Sequence, residues 1–300
     1  MSRAGGADQA GPVLITGCST GIGRATASHL AGLGLTVFAT ARRPDTLTDI
    51  AHAGCRTLAL DVTDEDSMRA AVATIEAEHG RVGALVNNAG YSQSGPVEEI
   101  TSASLRRQFD TNVFGAVRLC QFVLPAMRAA GRGRIVNLSS MGGRMTLPGG
   151  GAYHATKYAL EAFSDALRYE TKGFGVHVVL VEPGPVNTEF GTTATASTAD
   201  QPTDGPYAAF MQGVDALVAR TYAKPPKGSA RPEAIAEVIA SAITSRRPKT
   251  RYLVGPTAKS IVTTHSLLSD RLWDRFLATQ YPEPPRASPS RGVGLPASPG

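Results

Sequence analysis

Cysteine is scarce. Cys18, Cys55 and Cys120 are odd in number, far apart and without a CxxC pair. That pattern excludes a disulfide framework and a zinc knuckle, and no metal site is expected. It leaves buried free thiols in a reducing compartment. Long hydrophobic runs are also missing, and none approaches the roughly 18 residues that a membrane span requires. The first eleven residues are small and polar with no apolar h-region, so no secretory signal is expected and the default location is cytoplasmic. Charge is not concentrated. Lysine and arginine total 30 against 25 acids, a net +5 scattered along the chain. This argues against a dedicated nucleic-acid surface.

What is present is an ordinary apolar fraction, 42% of 300 residues, enough for a substantial core. Short apolar runs at 12–16, 35–41, 56–60, 84–86, 134–138, 176–181 and 252–254 read as strands. Helical spacing lies between them. After the first strand Ile22, Ala25, His29 and Leu33 recur on one helical face, with His29 on its core side. A long helical stretch is expected over 102–130, with Pro125 kinking or breaking it near its end. Further helices follow the glycines at 149–151 and cover 206–222, 232–245 and 267–281. Strands alternating with helices predict an α/β fold, a single-domain Rossmann-type doubly wound parallel sheet of about seven strands. The expected layout is a flexible tail over 1–11, one domain over 12–281 with a lid near 189–222, and a disordered Pro-rich tail over 282–300.

Chemistry-bearing residues sit where these strands end. Gly17, Gly21 and Gly23 form a strand–turn–helix loop of spacing G-x3-G-x-G, with Ser19, Thr20 and Ile22 between them. Such a loop lets backbone approach a phosphate, and the helix N-terminus offers free N–H groups to the anion. The second strand ends at Ala41, followed by Arg42 and Arg43. An acid there would favour NAD, whereas an arginine fork can hold a 2′-phosphate. The bland reading is two solvated arginines. Asp61 ends the third strand and Asn87-Asn88-Ala89-Gly90 follows the fourth. Asn112 is an amide on an apolar helical face, so it either staples backbone or binds something. Tyr153 and Lys157 are four apart on one helical face. An ammonium beside a phenol favours the phenolate and could tune it for proton transfer. The alternative is a surface pair.

Thr16-Gly17-x-x-x-Gly21-Ile22-Gly23, Asp61-Val62, Asn87-Asn88-Ala89-Gly90, Asn112-Val113 with Gly115, Ser140, Tyr153-x-x-x-Lys157 and Pro183-Gly184 with Thr188 occur in this order. Together they resemble the short-chain dehydrogenase/reductase family, over nearly all of the chain but its tails. The Ile15–Ser19 stretch and the Tyr153 helix look like the branch with 17β-hydroxysteroid and retinol dehydrogenases. The resemblance implies an oxidoreductase acting on CH–OH groups. Tyr153 would be the acid/base, and Lys157 would lower its pKa and hold the nicotinamide ribose. Ser140, thirteen residues before the tyrosine, would polarise the substrate oxygen. Asn112 would anchor a relay water. Asp61 and Val62 would contact adenine, Asn88, Ala89 and Gly90 would line the cofactor cleft, and Pro183, Gly184 and Thr188 would touch the nicotinamide end.

Family members with an arginine after strand two resemble the NADP-preferring group, so NADP(H) is expected, with NAD(H) as the alternative. Ser140, Met141, Gly142, Leu147 and Tyr153 are expected at a substrate pocket that is mostly apolar or small, which suits a lipophilic ketone, aldehyde or alcohol. A small-molecule substrate, no nucleic acid and a homodimer or homotetramer complete the expectation. A non-catalytic NADP-binding redox sensor is the rival, and it would be recognised by loss of the four catalytic residues, all of which are present.

Overall fold

Seven apolar runs become seven parallel strands. The computed structural model describes residues 10–186, 204–223, 226 and 228–283. The strands are β1 (Val13–Ile15), β2 (Val37–Ala41), β3 (Arg56–Ala59), β4 (Ala84–Asn87), β5 (Gly133–Leu138), β6 (Val176–Pro183) and β7 (Arg251–Val254). They hydrogen-bond in the order β3-β2-β1-β4-β5-β6-β7, every pair parallel. The order reverses at β1. Its carboxyl end and that of β4 therefore open a crevice between crossovers that run in opposite directions, the usual ligand position in such sheets.

Alternate residues of a strand face opposite sides of the sheet, and both sides are covered. Val13 and Ile15 pack with Ala39, Val86 and Val136 against α1 (Gly21–Gly32) and its neighbour α8 (Pro232–Thr244), which supplies Ile235, Ile239 and Ile243. Leu14, Phe38, Leu85 and Ile135 point the other way. They meet Met68, Val72 and Ile75 of α3 (Glu65–His79) and Leu119, Val123 and Met127 of α5 (Gly115–Ala129). A short helix α2 (Thr48–His52) follows β2. The helix after β5 is α6 (Gly151–Thr171), and α7 (Ala208–Ala223), α9 (Pro256–Leu267) and α10 (Asp270–Gln280) complete the set. No helix among the described residues is long and apolar enough to cross a membrane.

Several expectations need correction. The face of α1 that packs is Gly23, Thr26, Ala27 and Leu30. His29 is only half-buried and Leu33 is 48% exposed. The stretch over 102–130 is not one helix. α4 (Ser102–Phe109) passes into a π turn over Asp110–Phe114 before α5 begins, and Pro125 sits inside α5 without ending it. The stretch over 267–281 is α10 preceded by a separate helix, α9. Most of the two tails, and the 189–203 part of the lid, lie outside the described residues.

All three cysteines are free and buried. Cys18 lies inside the glycine loop, yet its Sγ turns inward, 3.4 Å from the carbonyl of Ile15. Burial pushes the thiols of Cys18 and Cys120 up to about 12.

Candidate active site

The glycine loop is shaped from beneath by the fourth strand. Asn88 donates through Nδ2 to the carbonyls of Thr16 at 2.8 Å and Gly17 at 3.0 Å. The hydroxyl of Thr16 accepts the N–H groups of Asn88 and Ala89, each at 3.0 Å. The loop is thereby clamped to the end of β4. Gly17 and Gly21 have φ of +70° and +60°, which disfavours a side chain. A Cβ on Gly23 would stand 2.4 Å from both Asn88 Nδ2 and the Gly17 carbonyl. Thr20 caps α1 without a side-chain bond, and no acid lies in the first turn. The N–H groups at this helix end are left for an anion. Arg24 ties the loop to the segment after β2. Its Nε donates to the Ser19 carbonyl at 2.9 Å, one Nη donates to the Thr46 carbonyl at 2.8 Å, and the other pairs with Asp49.

A cavity of about 650 Å³ runs from this loop along the carboxyl ends of the strands. Gly17, Ser19, Thr20, Gly21 and Ile22 line one end, with Arg42, Asp61 and Val62 beside them. Asn88, Ala89 and Gly90 line the middle, and Pro183 and Gly184 line the far side of β6. Gly23 and Arg43 do not reach the cavity; Gly23 contributes by its lack of a side chain, and Arg43 is exposed on the loop after β2. Thr188 lies outside the described residues. Arg42 has no hydrogen bond or ion pair among the described residues, although it stands at the cavity mouth. Asp61 does not face outward alone, since its Oδ1 accepts the Thr63 amide at 2.9 Å and the Thr63 hydroxyl at 2.8 Å. An extended dinucleotide fits these features. There is a glycine cradle that a Cβ would fill, an uncapped helix start and a free guanidinium at the end of β2.

The reactive groups lie deeper. Ser140 is hydrogen-bonded to the phenol of Tyr153. Its Oγ also accepts the Gly142 amide at 3.1 Å, which fixes it at the start of a short 3₁₀ turn. Ser139 is different: its hydroxyl is buried without a partner among the described residues. Lys157 is buried and donates to the Leu138 carbonyl at 2.7 Å, with its Nζ 5.7 Å from the centre of the Tyr153 ring. Burial lowers the Lys157 ammonium to about 8, and Glu161 opposes this. Burial also pushes the Tyr153 phenol well above its usual value. Ser140 pulls it down, and Tyr222 across the cavity pushes it further up. Lys157 is not among the groups that shift the phenol here. Desolvation of the phenol is the dominant cause, and the ammonium is bonded to the Leu138 carbonyl.

Asn112 sits in the π turn and does not line the cavity. Its Nδ2 donates to the Tyr91 carbonyl at 2.9 Å and to the Thr156 hydroxyl at 3.1 Å, and its Oδ1 accepts the Tyr91 amide at 3.1 Å. The amide side chain therefore staples the loop after β4 to α6. The extra residue of a π turn re-aims this side chain inward.

Behind Lys157 lies a charged cluster. Arg251 Nε donates to Glu161 at 3.0 Å and lies 3.2 Å from Glu182, while Arg144 reaches Glu182 at 3.4 Å. Burial, with Glu161 alongside, raises the Glu182 carboxyl to about 7.

Met141, Gly142 and Leu147 line the inner cavity as expected. The expected lid supplies more of the wall, and two further residues, His154 and Tyr281, were missed by sequence reasoning. Val214, Leu217, Val218, Thr221 and Tyr222 of α7 line it, as do His154 and Tyr281. The α7 residues recur at helical spacing inside the lid expected near 189–222. His154 and Arg24 carried no such signal. The arrangement can transfer a proton at a carbonyl oxygen held between phenol and serine hydroxyl, beside a cleft that fits a dinucleotide.

A family model described as short chain dehydrogenase matches residues 12–199. The chain belongs to that family. Its members are oxidoreductases that act on CH–OH and carbonyl groups. A 3-ketodihydrosphingosine reductase of Bacteroides thetaiotaomicron is 35% identical over 270 residues, 90% of this chain and 97% of that protein. An NADPH-dependent 3-dehydrocapnine reductase of Ornithobacterium rhinotracheale is 34% identical over 273 residues, 88% and 94% of the two chains. A solved short-chain dehydrogenase from Streptomyces avermitilis superposes with a TM-score of 0.76 at 36% identity, covering 90% of this chain and 97% of that one.

Proposed function

We propose that this short-chain dehydrogenase interconverts a lipophilic ketone or aldehyde and its alcohol with NADP(H). The observation that carries the reading is the Ser140–Tyr153 hydrogen bond beside buried Lys157, in the same cavity as the glycine loop. Bound NADP(H) supplies or accepts the hydride. The chain's own residues do the rest. Ser140 donates to the substrate oxygen and Tyr153 gives or takes its proton. Lys157, held by the Leu138 carbonyl, is positioned for the nicotinamide ribose and keeps a positive charge beside the phenol. Asn112, stapled to Tyr91 and Thr156, holds the π turn from which a relay to Lys157 would start.

The free guanidinium of Arg42 supports NADP(H), because a planar fork matches a phosphate. The NADPH dependence of the 3-dehydrocapnine reductase agrees with this preference. The apolar wall of Met141, Leu147, Val214, Leu217 and Val218 supports a substrate with a hydrocarbon portion. Both reductase relatives carry names of 3-oxo or 3-dehydro substrates, which favours reduction of a ketone. Exposed Leu105 on α4 and Phe114 in the π turn before α5, with Phe163 and Tyr169 on α6, support a homodimer or homotetramer. Incubation with a panel of medium- and long-chain ketones and NADPH, followed by absorbance, tests the reading. Oxidation of NADPH with at least one ketone is expected. A panel without turnover, by a protein that binds NADPH, would favour the redox-sensor reading.

A further inference from the structure

His154 follows Tyr153 on α6 and lines the same cavity, yet proton transfer makes no use of it. Its imidazole is buried, and Nδ1 accepts the backbone N–H of Leu147 at 3.1 Å. A neutral imidazole carries one proton, so a bond accepted at Nδ1 fixes that proton on Nε2. Burial lowers the imidazolium to about 4, and the ring is therefore neutral throughout the neutral pH range. Nε2 has no partner among the described residues, and it is not one of the buried polar atoms sealed without a partner. The donor therefore faces the cavity.

The loop after Ser140 is built around this ring. A Cβ on Gly142 would come within 2.5 Å of Cδ2 and 3.0 Å of Nε2, and one on Gly150 within 2.8 Å of Cε1. Both glycines line the cavity. The His154 ring centre is 5.6 Å from that of Tyr153. A fixed donor thus stands beside the reacting phenol in a wall to which Met141, Leu147 and Pro148 give apolar surface. A ligand that covers such a donor without offering an acceptor binds less well than one that pairs with it.

We infer that His154 selects substrates that carry a second oxygen, as hydroxyl, ester or carbonyl, within a few bonds of the reacting carbonyl. The inference rests on the reading of Tyr153 as proton donor to a ketone. His154 is here a specificity-determining residue with two separable tasks: Nδ1 anchors the loop at Leu147, and Nε2 meets the substrate.

Two probes of equal chain length test it, ethyl 3-oxooctanoate and undecan-6-one, assayed by kcat/KM with NADPH. Their intrinsic reactivities differ, but that difference cancels when the ratio of the two is compared between variants. In His154→Asn, Oδ1 can still accept the Leu147 N–H, whereas no donor remains at the position of Nε2. The keto ester to ketone ratio is expected to fall about tenfold, the loss of one good hydrogen bond. His154→Gln keeps a donor at that reach and gives up the anchor, so its ratio should stay within about threefold of wild type even where both rates drop. An unchanged ratio in His154→Asn overturns the inference and leaves His154 a loop anchor only. Should that variant fail to fold, a collapsed ratio in His154→Gln overturns it instead. Wild-type protein that reduces neither probe sinks the ketone reading and this inference with it. Turnover of both with no effect of His154 on the ratio sinks the inference alone.

Discussion

The ammonium of Lys157 donates to the carbonyl of Leu138 at 2.7 Å rather than to the phenol of Tyr153 one helical turn before it. The lysine is thereby fixed from behind, with its charge kept in a place that opposes it. Its pKa falls from 10.5 to about 8 because burial penalises the charged form. The unfolded chain therefore binds the extra proton between these values, and stability rises with pH across that window. Below it, the buried ammonium costs stability.

Lys157→Met should consequently lose turnover by about 100-fold or more while gaining about 2 kcal/mol of stability at pH 7, the desolvation relief less one lost hydrogen bond. The gain should shrink towards pH 10. Urea melts of both proteins at the two pH values check this, and a Lys157→Met protein less stable than wild type at pH 7 would refute it.

Tyr153→Phe should lower kcat/KM by about 100- to 10,000-fold, the usual span for losing a proton-transfer group. The phenol lines the cavity beside Ser140, and the dissociation constant for NADPH is expected to change only slightly. Fluorescence titration alongside steady-state rates separates the two. Near-normal turnover would remove Tyr153 from its assigned role.

Arg42→Ala should reduce kcat/KM with NADPH by about 10- to 100-fold, the worth of charge-assisted bonds to a phosphate. Rates with NADH should hardly move. Parallel kinetics with both cofactors decide it: no loss with NADPH would show that Arg42 is a solvated loop residue, and equal losses with NADH that it does not read the 2′-phosphate.

Glu182→Gln should stabilise the protein more as pH rises. The carboxyl is raised from 4.5 to about 7, so its folded-state advantage is complete below pH 4.5 and is lost as pH climbs through 7. Glutamine mimics the protonated form. A gain of about 1–2 kcal/mol at pH 8 is expected, discounted for Arg251 and for solvent around Arg144, and none near pH 4.5. Thermal melts across that range give the answer, and a loss of stability at pH 8 would mean that the carboxylate is held ionised.

The sheet was legible because most strands are short apolar runs that give way to glycine or polar residues, such as Gly17, Asn88 or Ser139. The cavity was legible for the same reason, since those ends are where the motif residues fall. Apolar spacing hid the π turn at Asp110–Phe114: one added residue shifts the stripe without interrupting it. α9 was hidden differently. It buries only Ala258 and Val262 among threonines and serines, too few to make a stripe. The Tyr153–Lys157 spacing correctly put both on one helix, but spacing carries no information about depth. Depth decides the titration of both groups. His154 looked like one polar residue among many, and its meaning lies in a contact with Leu147 seven residues earlier that only the folded loop creates.

The inward turn of Cys18 has a practical outcome. With Cys18 and Cys120 raised to about 12 and all three sulfurs buried, peroxide and alkylating reagents meet almost no thiolate at neutral pH. The glycine loop is therefore not an oxidative off-switch, even though it contains a cysteine. A single cysteine introduced on the surface would be the one site that a maleimide dye labels in the native protein. The wild-type background is thus ready for site-specific spectroscopy without removing any of its own sulfurs.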